Sequence, residues 1–280
     1  LGHLLAASPR LTATPRGPHR PSLSTVQLVD VLRARYLDLI RASLTGLLHE
    51  DPALAERVGG GRVPFDRERR ESGKDWPATA LSMIGARRML QLQRAVEFAL
   101  DQGVPGDFIE TGVWRGGACI LMRAILAARG VTDRRVWVAD SFQGLPRPDA
   151  VRYPKDAGNM LYAFDQLSVS ADDVRANFAR YRLLDDQVRF LEGWFRDTLP
   201  AAPIERLAVL RLDGDLYEST MEALEALYDK VSPGGIVIVD DFGVLESCRA
   251  AVNDFRQRRG ITETIYQVDG SGVHWQRRAG

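Results

Sequence analysis

The stretch from Phe108 to Cys119, FIETGVWRGGAC, constrains the fold more than any other. Pro105-Gly106-Asp107 signals a turn, and Phe108 and Ile109 begin a short apolar run that Glu110 ends. Thr111 to Gly117 does not continue a strand comfortably, because glycine is placed where backbone bends or approaches something closely. From Ala118 onward, ACILMRAILAA favours a helix. Strand, acid, glycine turn and helix N-terminus make a βα unit. Its turn lies at the carboxyl edge of a sheet, where nucleotide-like ligands bind. Gly112, Gly116 and Gly117 do not make G-x-G-x-x-G, so the dinucleotide fingerprint is not met. An acid before the turn also repels a phosphate. A ligand with a cationic end and no phosphate fits better, and S-adenosylmethionine (SAM) is one. The plainer alternative is a tight βα turn with spare glycines.

The remaining chain sets the context for that unit. Its 280 residues suffice for one large α/β domain with appendages, or for two small domains. Lys plus Arg and Asp plus Glu both number 37, so no net field favours nucleic acid or an anionic membrane. No apolar run reaches membrane-span length. Leu1 to Ala7 lacks a basic leader and is not read as a signal peptide. Cys119 and Cys248 fall in expected helices and suit packing in a reducing compartment, so a cytoplasmic location is expected.

Residues 1–24 read as a flexible arm, Pro- and Arg-rich without a period. Residues 25–102 read as a helical region packed on the core. Leu28, Val31, Leu32, Tyr36, Leu39 and Ile40 mark an amphipathic helix over 27–49, and a second helix is expected from Trp76-Pro77 to about Asp101. Met83 and Trp76 on that helix are candidates to face a ligand, or else are core or dimer contacts. Over residues 103–280, strands are expected at 136–140, 188–191, 207–212 and 235–239. They alternate with helices at 171–181, 217–230 and 245–258, and a final hairpin turns at Asp269-Gly270. Such alternation means a mostly parallel sheet covered on both faces. The segment 146–170 is too long for a plain connection and is expected to be a lid.

Most of these strands end in acids: Glu110, Asp140, Asp213 with Asp215, and Asp240 with Asp241. Asp140 lies one βα unit past the glycine turn, where an acid accepts hydrogen bonds from ribose hydroxyls. The other four aspartates would repel one another unless protonated or bound to a cation. A hard divalent ion resolves that, and Mg²⁺ is the default. Solvated loop acids are the plainer reading. Metal plus an extra aspartate suggests a hydroxyl made acidic and a carboxylate that takes its proton. His274 is an alternative base. Asp213-Gly214-Asp215 also has the D-x-D form of a metal-dependent glycosyltransferase. A NAD-dependent oxidoreductase and a non-enzymatic binding module are further rivals.

The chain is similar to class I SAM-dependent methyltransferases and resembles the macrocin O-methyltransferase family of antibiotic tailoring enzymes. The resemblance rests on RESGKDWPATALSMIGARRM (70–89), DFIETGVWRGGACI (107–120), RVWVADSFQGLP (135–146), LLDDQVRFLEGWFRDTLP (183–200), ERLAVLRLDGDLYESTM (205–221) and SPGGIVIVDDF (232–242). Within the family it resembles the noviose 4-O-methyltransferases of aminocoumarin (novobiocin-type) pathways. The resemblance implies a Rossmann-like, doubly wound seven-stranded sheet, Mg²⁺-dependent O-methyl transfer to a deoxysugar of a glycosylated antibiotic, and a homodimer. A macrolide sugar is the alternative acceptor. It matches Glu110, Gly112 and Gly116 to the SAM loop, Asp140 and Ser141 to the ribose and adenine region, and Gly193 and Trp194 to the adenine-side turn. Met83 falls where the leading helix nears SAM. Asp213, Asp240 and Asp241 match metal ligands, and Asp215 the general base.

Overall fold

A computed structural model describes residues 24–55 and 60–278. The arm expected over residues 1–24 lies outside the described residues, apart from Ser24. That residue opens helix α1 (Thr25–Leu44) through a capping box: its hydroxyl accepts from the Gln27 amide, and the Gln27 side chain accepts from the Ser24 amide. Leu37, Ile40 and Leu44 of α1 are buried.

Between α1 and the main sheet lies an element the helical reading of this region did not contain. Strands β1 (Ala53–Leu54), β2 (Arg62–Val63) and β3 (Trp76–Pro77) form a small antiparallel sheet in the order β2-β1-β3, with the short helix α2 (Arg67–Glu71) between β2 and β3. Helix α3 therefore starts at Gly85, not at Trp76, and runs to Asp101. The reason is local competition for backbone donors. The Asp51 carboxylate accepts from the amides of Thr79 and Ala80, and the Leu44 carbonyl accepts from those of Leu81 and Ser82. Residues so engaged cannot hydrogen-bond along a helix.

The main sheet has seven strands: β4 (Asp107–Thr111), β5 (Val136–Asp140), β6 (Val188–Glu192), β7 (Leu207–Leu212), β8 (Val231–Val239), β9 (Tyr266–Gln267) and β10 (Val273–Gln276). Their order is β6-β5-β4-β7-β8-β10-β9, parallel from β6 to β8, with β10 antiparallel to both β8 and β9. Helices α4 (Gly117–Arg129), α5 (Ala171–Arg180), α6 (Phe195–Thr198), α7 (Tyr217–Leu227) and α8 (Glu246–Arg258) fill the connections. Alternate strand residues feed two separate cores. Phe108, Val136, Val138 and Ile238 join the side covered by α1, α3 and α4. Ile109, Trp137, Leu210 and Val237 join the side covered by α7 and α8. Full burial of such side chains contributes about 1.5–3 kcal/mol each. The doubly wound arrangement expected from the alternation is thus present.

The chain steps outward from β4 to β6, then returns to the far side of β4 as β7. The order reverses at β4, and a crevice opens there, outside the carboxyl ends of the strands. No helix among the described residues is long and apolar enough to cross a membrane.

Candidate active site

At that crevice the backbone leaves β4 through Gly112 at φ +85°, Trp114 at +48° and Gly116 at +85°. Neighbouring β4 and β7 pair Thr111 with Leu212, so the turns that follow them touch. A Cβ on Gly112 would lie 1.8 Å from the Asp213 carbonyl oxygen, so no other residue fits that crossing. Asp140 holds the turn from the side: its carboxylate accepts from the Val113 amide at 2.7 Å and from the Phe142 amide at 2.8 Å. Burial raises its pKa in spite of these bonds. Arg115 ties the turn to the carbonyls of Pro77 and Ala80, at 3.1 and 2.8 Å. Trp114, Phe142 and Asp215 are three of the five non-glycine residues with left-handed backbone among those described. Each carries a strain on the order of 1–3 kcal/mol, which is typical where function fixes the chain.

The acids at the ends of β7 and β8 do come together. Oxygens of Asp213, Asp240 and Asp241 lie within 4.8 Å of one another. One Asp241 oxygen, Oδ2, is buried without a hydrogen-bond partner, an unusual state for a carboxylate and one that a bound cation would relieve. Asp215 stands beside them on the same cavity wall. Burial, then the Asp213 and Asp240 carboxylates, push its pKa well up; burial and Asp215 do the same to Asp241. The Ser247 hydroxyl donates to the Asp215 carbonyl at 3.1 Å and fixes its backbone.

Two guanidiniums that the strand-end reading did not include share this cluster. Arg211, buried in β7, pairs with Glu110, with Asp213 at 2.7 Å and with Asp240. Arg88, from α3, pairs with the other Asp240 oxygen and with Asp269 at 3.3 Å. Two arginines therefore already balance these acids in part. Glu110 is engaged by the Arg211 guanidinium. It borders the cavity but is 2 % exposed, bound to Arg211 and accepting from the Cys119 thiol at 3.1 Å. Burial raises its pKa to about 7 against the pull of Arg211. It is not an open acid awaiting a cationic ligand.

Signals for both arginines existed. Arg211 interrupts the apolar run LAVLRL, and Arg88 falls on the apolar stripe of α3 between Ile84 and Leu92. An arginine in a core position is nearly always paired.

One cavity of about 830 Å³ joins these parts. Met83, Ser141 and Trp194 line it, together with Gly112, Asp140 and the four aspartates. Met83 reaches it from the irregular segment ahead of α3. Gly116 and Gly193 do not line it; they shape backbone, at φ +85° and +140°. Gly117 does line it, and a Cβ there would meet the Leu81 carbonyl at 2.4 Å. His274 pairs with Ile238 within the sheet, stacks on Tyr266 and is not among the residues that line the cavity. The segment expected to be a lid contains three short 3-10 turns, and its Leu161 and Leu167 line the cavity. Its Gln166 carbonyl accepts from the Trp114 indole at 2.8 Å, and Phe164 meets Trp76 edge-on at 5.1 Å.

The model of a family described as macrocin O-methyltransferase (TylF) matches residues 38–277. The chain belongs to the macrocin O-methyltransferase family. It is thus an O-methyltransferase, and the glycosyltransferase, oxidoreductase and non-enzymatic readings end here. Among curated relatives it is 52% identical over 253 residues to the 8-demethyl-8-(2,3-dimethoxy-alpha-L-rhamnosyl)-tetracenomycin-C 4'-O-methyltransferase of Streptomyces olivaceus, covering 90% of this chain and 96% of that one. It is 49% identical over 258 residues to the demethyldecarbamoylnovobiocin O-methyltransferase of Streptomyces niveus, covering 92% and 98%. The mycinamicin III 3''-O-methyltransferase of Micromonospora griseorubida is 50% identical over 249 residues, covering 87% and 96%. Among solved structures, the O-methyltransferase NovP matches with a TM-score of 0.84 at 50% identity, covering 88% of this chain and 100% of that one. Membership in this family gives the fold its class, the class I methyltransferase sheet.

Proposed function

We propose that this enzyme transfers the methyl group of SAM to a deoxysugar hydroxyl of a glycosylated antibiotic with the help of Mg²⁺, and that the 4-hydroxyl of noviose in an aminocoumarin is the acceptor. The observation that carries the reaction type is one cavity in which a glycine turn, the Asp213–Asp240–Asp241 triad and a fourth acid, Asp215, face one another. The aminocoumarin reading draws support from the likeness to the novobiocin enzyme and to NovP. A macrolide sugar is the second reading, favoured by the equally similar mycinamicin enzyme.

The residues fit both absent groups. The Gly112 turn has no room for a side chain, and Asp140, partly exposed beside it, is the acid for the ribose hydroxyls. Ser141 and Trp194 continue that wall toward the adenine side. Asp213, Asp240 and Asp241 are the ligand set for a hard divalent ion, with the unpartnered Asp241 oxygen as its clearest opening. Mg²⁺ held there supplies a lower pKa for the acceptor hydroxyl. Asp215 takes the proton at its carboxylate, and the surrounding wall holds the hydroxyl in line with the sulfonium methyl. The two free cysteines are buried, in keeping with the cytoplasm as the site of action. Leu28, Leu32 and Leu39 are exposed on one face of α1, and we assign that apolar face to a homodimer contact, to be checked by sedimentation of the wild type against Leu32→Asp.

The deciding assay offers labelled SAM to a panel of desmethyl glycosylated antibiotics, with Mg²⁺ or with EDTA. Demethyldecarbamoylnovobiocin methylated on its sugar, and only with Mg²⁺, is the expected result. Turnover undiminished in EDTA refutes the metal assignment. Turnover of mycinamicin III alone selects the macrolide reading.

A further inference from the structure

The lid carries one buried acid that methyl transfer does not use. Asp156 ends the 3-10 turn Pro154–Asp156 and is 0 % exposed. Its neighbour Lys155 points away, to Asp254 at 2.6 Å. The two Asp156 oxygens accept from the backbone amides of Tyr217, at 2.7 Å, and Glu218, at 3.0 Å. Those are the first two residues of α7, and the residue before them, Leu216, offers no side-chain cap. The amides of a first helical turn have no partner within the helix. A carboxylate is well suited to them, through charge-assisted bonds and the positive end of the helix dipole. Asp156 therefore caps α7 from a segment some sixty residues upstream.

What precedes α7 is the turn Asp213-Gly214-Asp215-Leu216. Asp215 stands in a left-handed conformation at φ +60°, the Leu216 amide donates to the Gly214 carbonyl at 2.6 Å, and the Thr220 amide donates to the Leu216 carbonyl at 3.0 Å. The turn and the helix are one continuous hydrogen-bonded piece, so a shift of the helix N-terminus is a shift of Asp215. The segment that bears Asp156 also puts Leu161 and Leu167 on the cavity wall. Closing the cavity and capping α7 are done by the same stretch of chain. We propose that Asp156 is a positioning residue, which couples the docked lid to the placement of the Asp215 carboxylate. The proposal rests on Asp215 being the base.

The test compares Asp156→Ala and Asp156→Asn with the wild type, using SAM and the acceptor that turns over in the panel. Hydrogen exchange of the 213–218 amides in the S-adenosylhomocysteine complex is a second readout, independent of turnover. For Asp156→Ala, kcat falls roughly 100-fold, the scale expected when a reacting group is misplaced by about an ångström. SAM affinity stays within about twofold, because the glycine turn is untouched. The Tyr217 and Glu218 amides exchange faster. Asp156→Asn retains a carbonyl acceptor and falls between the two. In an Asp215→Asn background the effect of Asp156→Ala on kcat shrinks to less than about threefold, since two residues acting as a unit are not additive. Wild-type kcat in Asp156→Asn and Asp156→Ala, or an undiminished effect in the Asp215→Asn background, overturns the proposal. Wild-type kcat in Asp215→Asn alone refutes the base assignment instead, and the exchange data still report the cap.

Discussion

Replacing Gly112 with alanine tests the crossing of β4 and β7 directly. Alanine at φ +85° is itself unfavourable, by about 1–2 kcal/mol. The larger effect is steric. The new methyl begins 1.8 Å from the Asp213 carbonyl oxygen, and carbon and oxygen settle near 3.3 Å, so the two turns must part by roughly 1.5 Å. Asp213 moves with its carbonyl, and the ligand triad and the adjacent Asp215 lose their common geometry. A misplacement of that size costs about 100-fold in kcat, or about 2.7 kcal/mol of transition-state stabilisation. The protein still folds, since only Val113 and Leu212 of the two cores flank the crossing directly and most of both cores lies elsewhere in the strands and helices. The assay pairs steady-state kinetics with Mg²⁺ calorimetry and thermal unfolding. The expected result is a small drop in Tm, a large drop in kcat and weakened Mg²⁺ binding. A Gly112→Ala enzyme with kcat within about threefold of the wild type and unchanged Mg²⁺ affinity refutes the argument.

Other consequences are equally direct. Asp241→Asn removes the unpartnered oxygen's charge, so Mg²⁺ affinity falls and kcat drops roughly 100-fold while SAM affinity, by calorimetry, holds; unaltered Mg²⁺ binding would show that the ion sits elsewhere. A base works only when deprotonated, and burial with Asp213 raises the Asp215 pKa, so kcat/KM falls as pH drops through a value above the usual carboxylate range. Raising Mg²⁺ brings positive charge beside Asp215 and moves that limb down; an acid limb below about pH 4 at limiting Mg²⁺ contradicts the assignment. Arg211→Met leaves Glu110, Asp213 and Asp240 short of a partner, and denaturant titration should show a loss of about 3–5 kcal/mol; an unchanged midpoint means the pairing is not what holds these acids.

The sheet was legible because each central strand is a short apolar run closed by an acid, a pattern that parallel pairing and two-sided burial require. Asp140, Asp213, Asp240 and Asp241 could be placed on one edge from that pattern alone. The segment before α3 was not legible, since its helical composition yields to Asp51 and the Leu44 carbonyl, which lie far off in sequence. The start of β8 was missed for a related reason. Ser232-Pro233-Gly234-Gly235 reads as a turn, yet Val231 already pairs with Leu207. Glu110 was legible as an acid at the site but not as a bound one, because its partner Arg211 sits on another strand. Helix caps supplied from a lid, such as Asp156 on α7, leave no local trace at either end.

Arg88 and Arg211 give the acid pocket resident counter-ions. A domain whose ligands are balanced only by a metal unfolds when the metal leaves. Here Asp240 keeps both guanidiniums through any metal-free interval. On the Mg²⁺ reading proposed above, the ion is then a reagent that arrives and departs, not a strut. That reading expects scarcity of Mg²⁺ to slow the finishing of product without reducing the amount of folded enzyme, and activity to return as soon as the ion does.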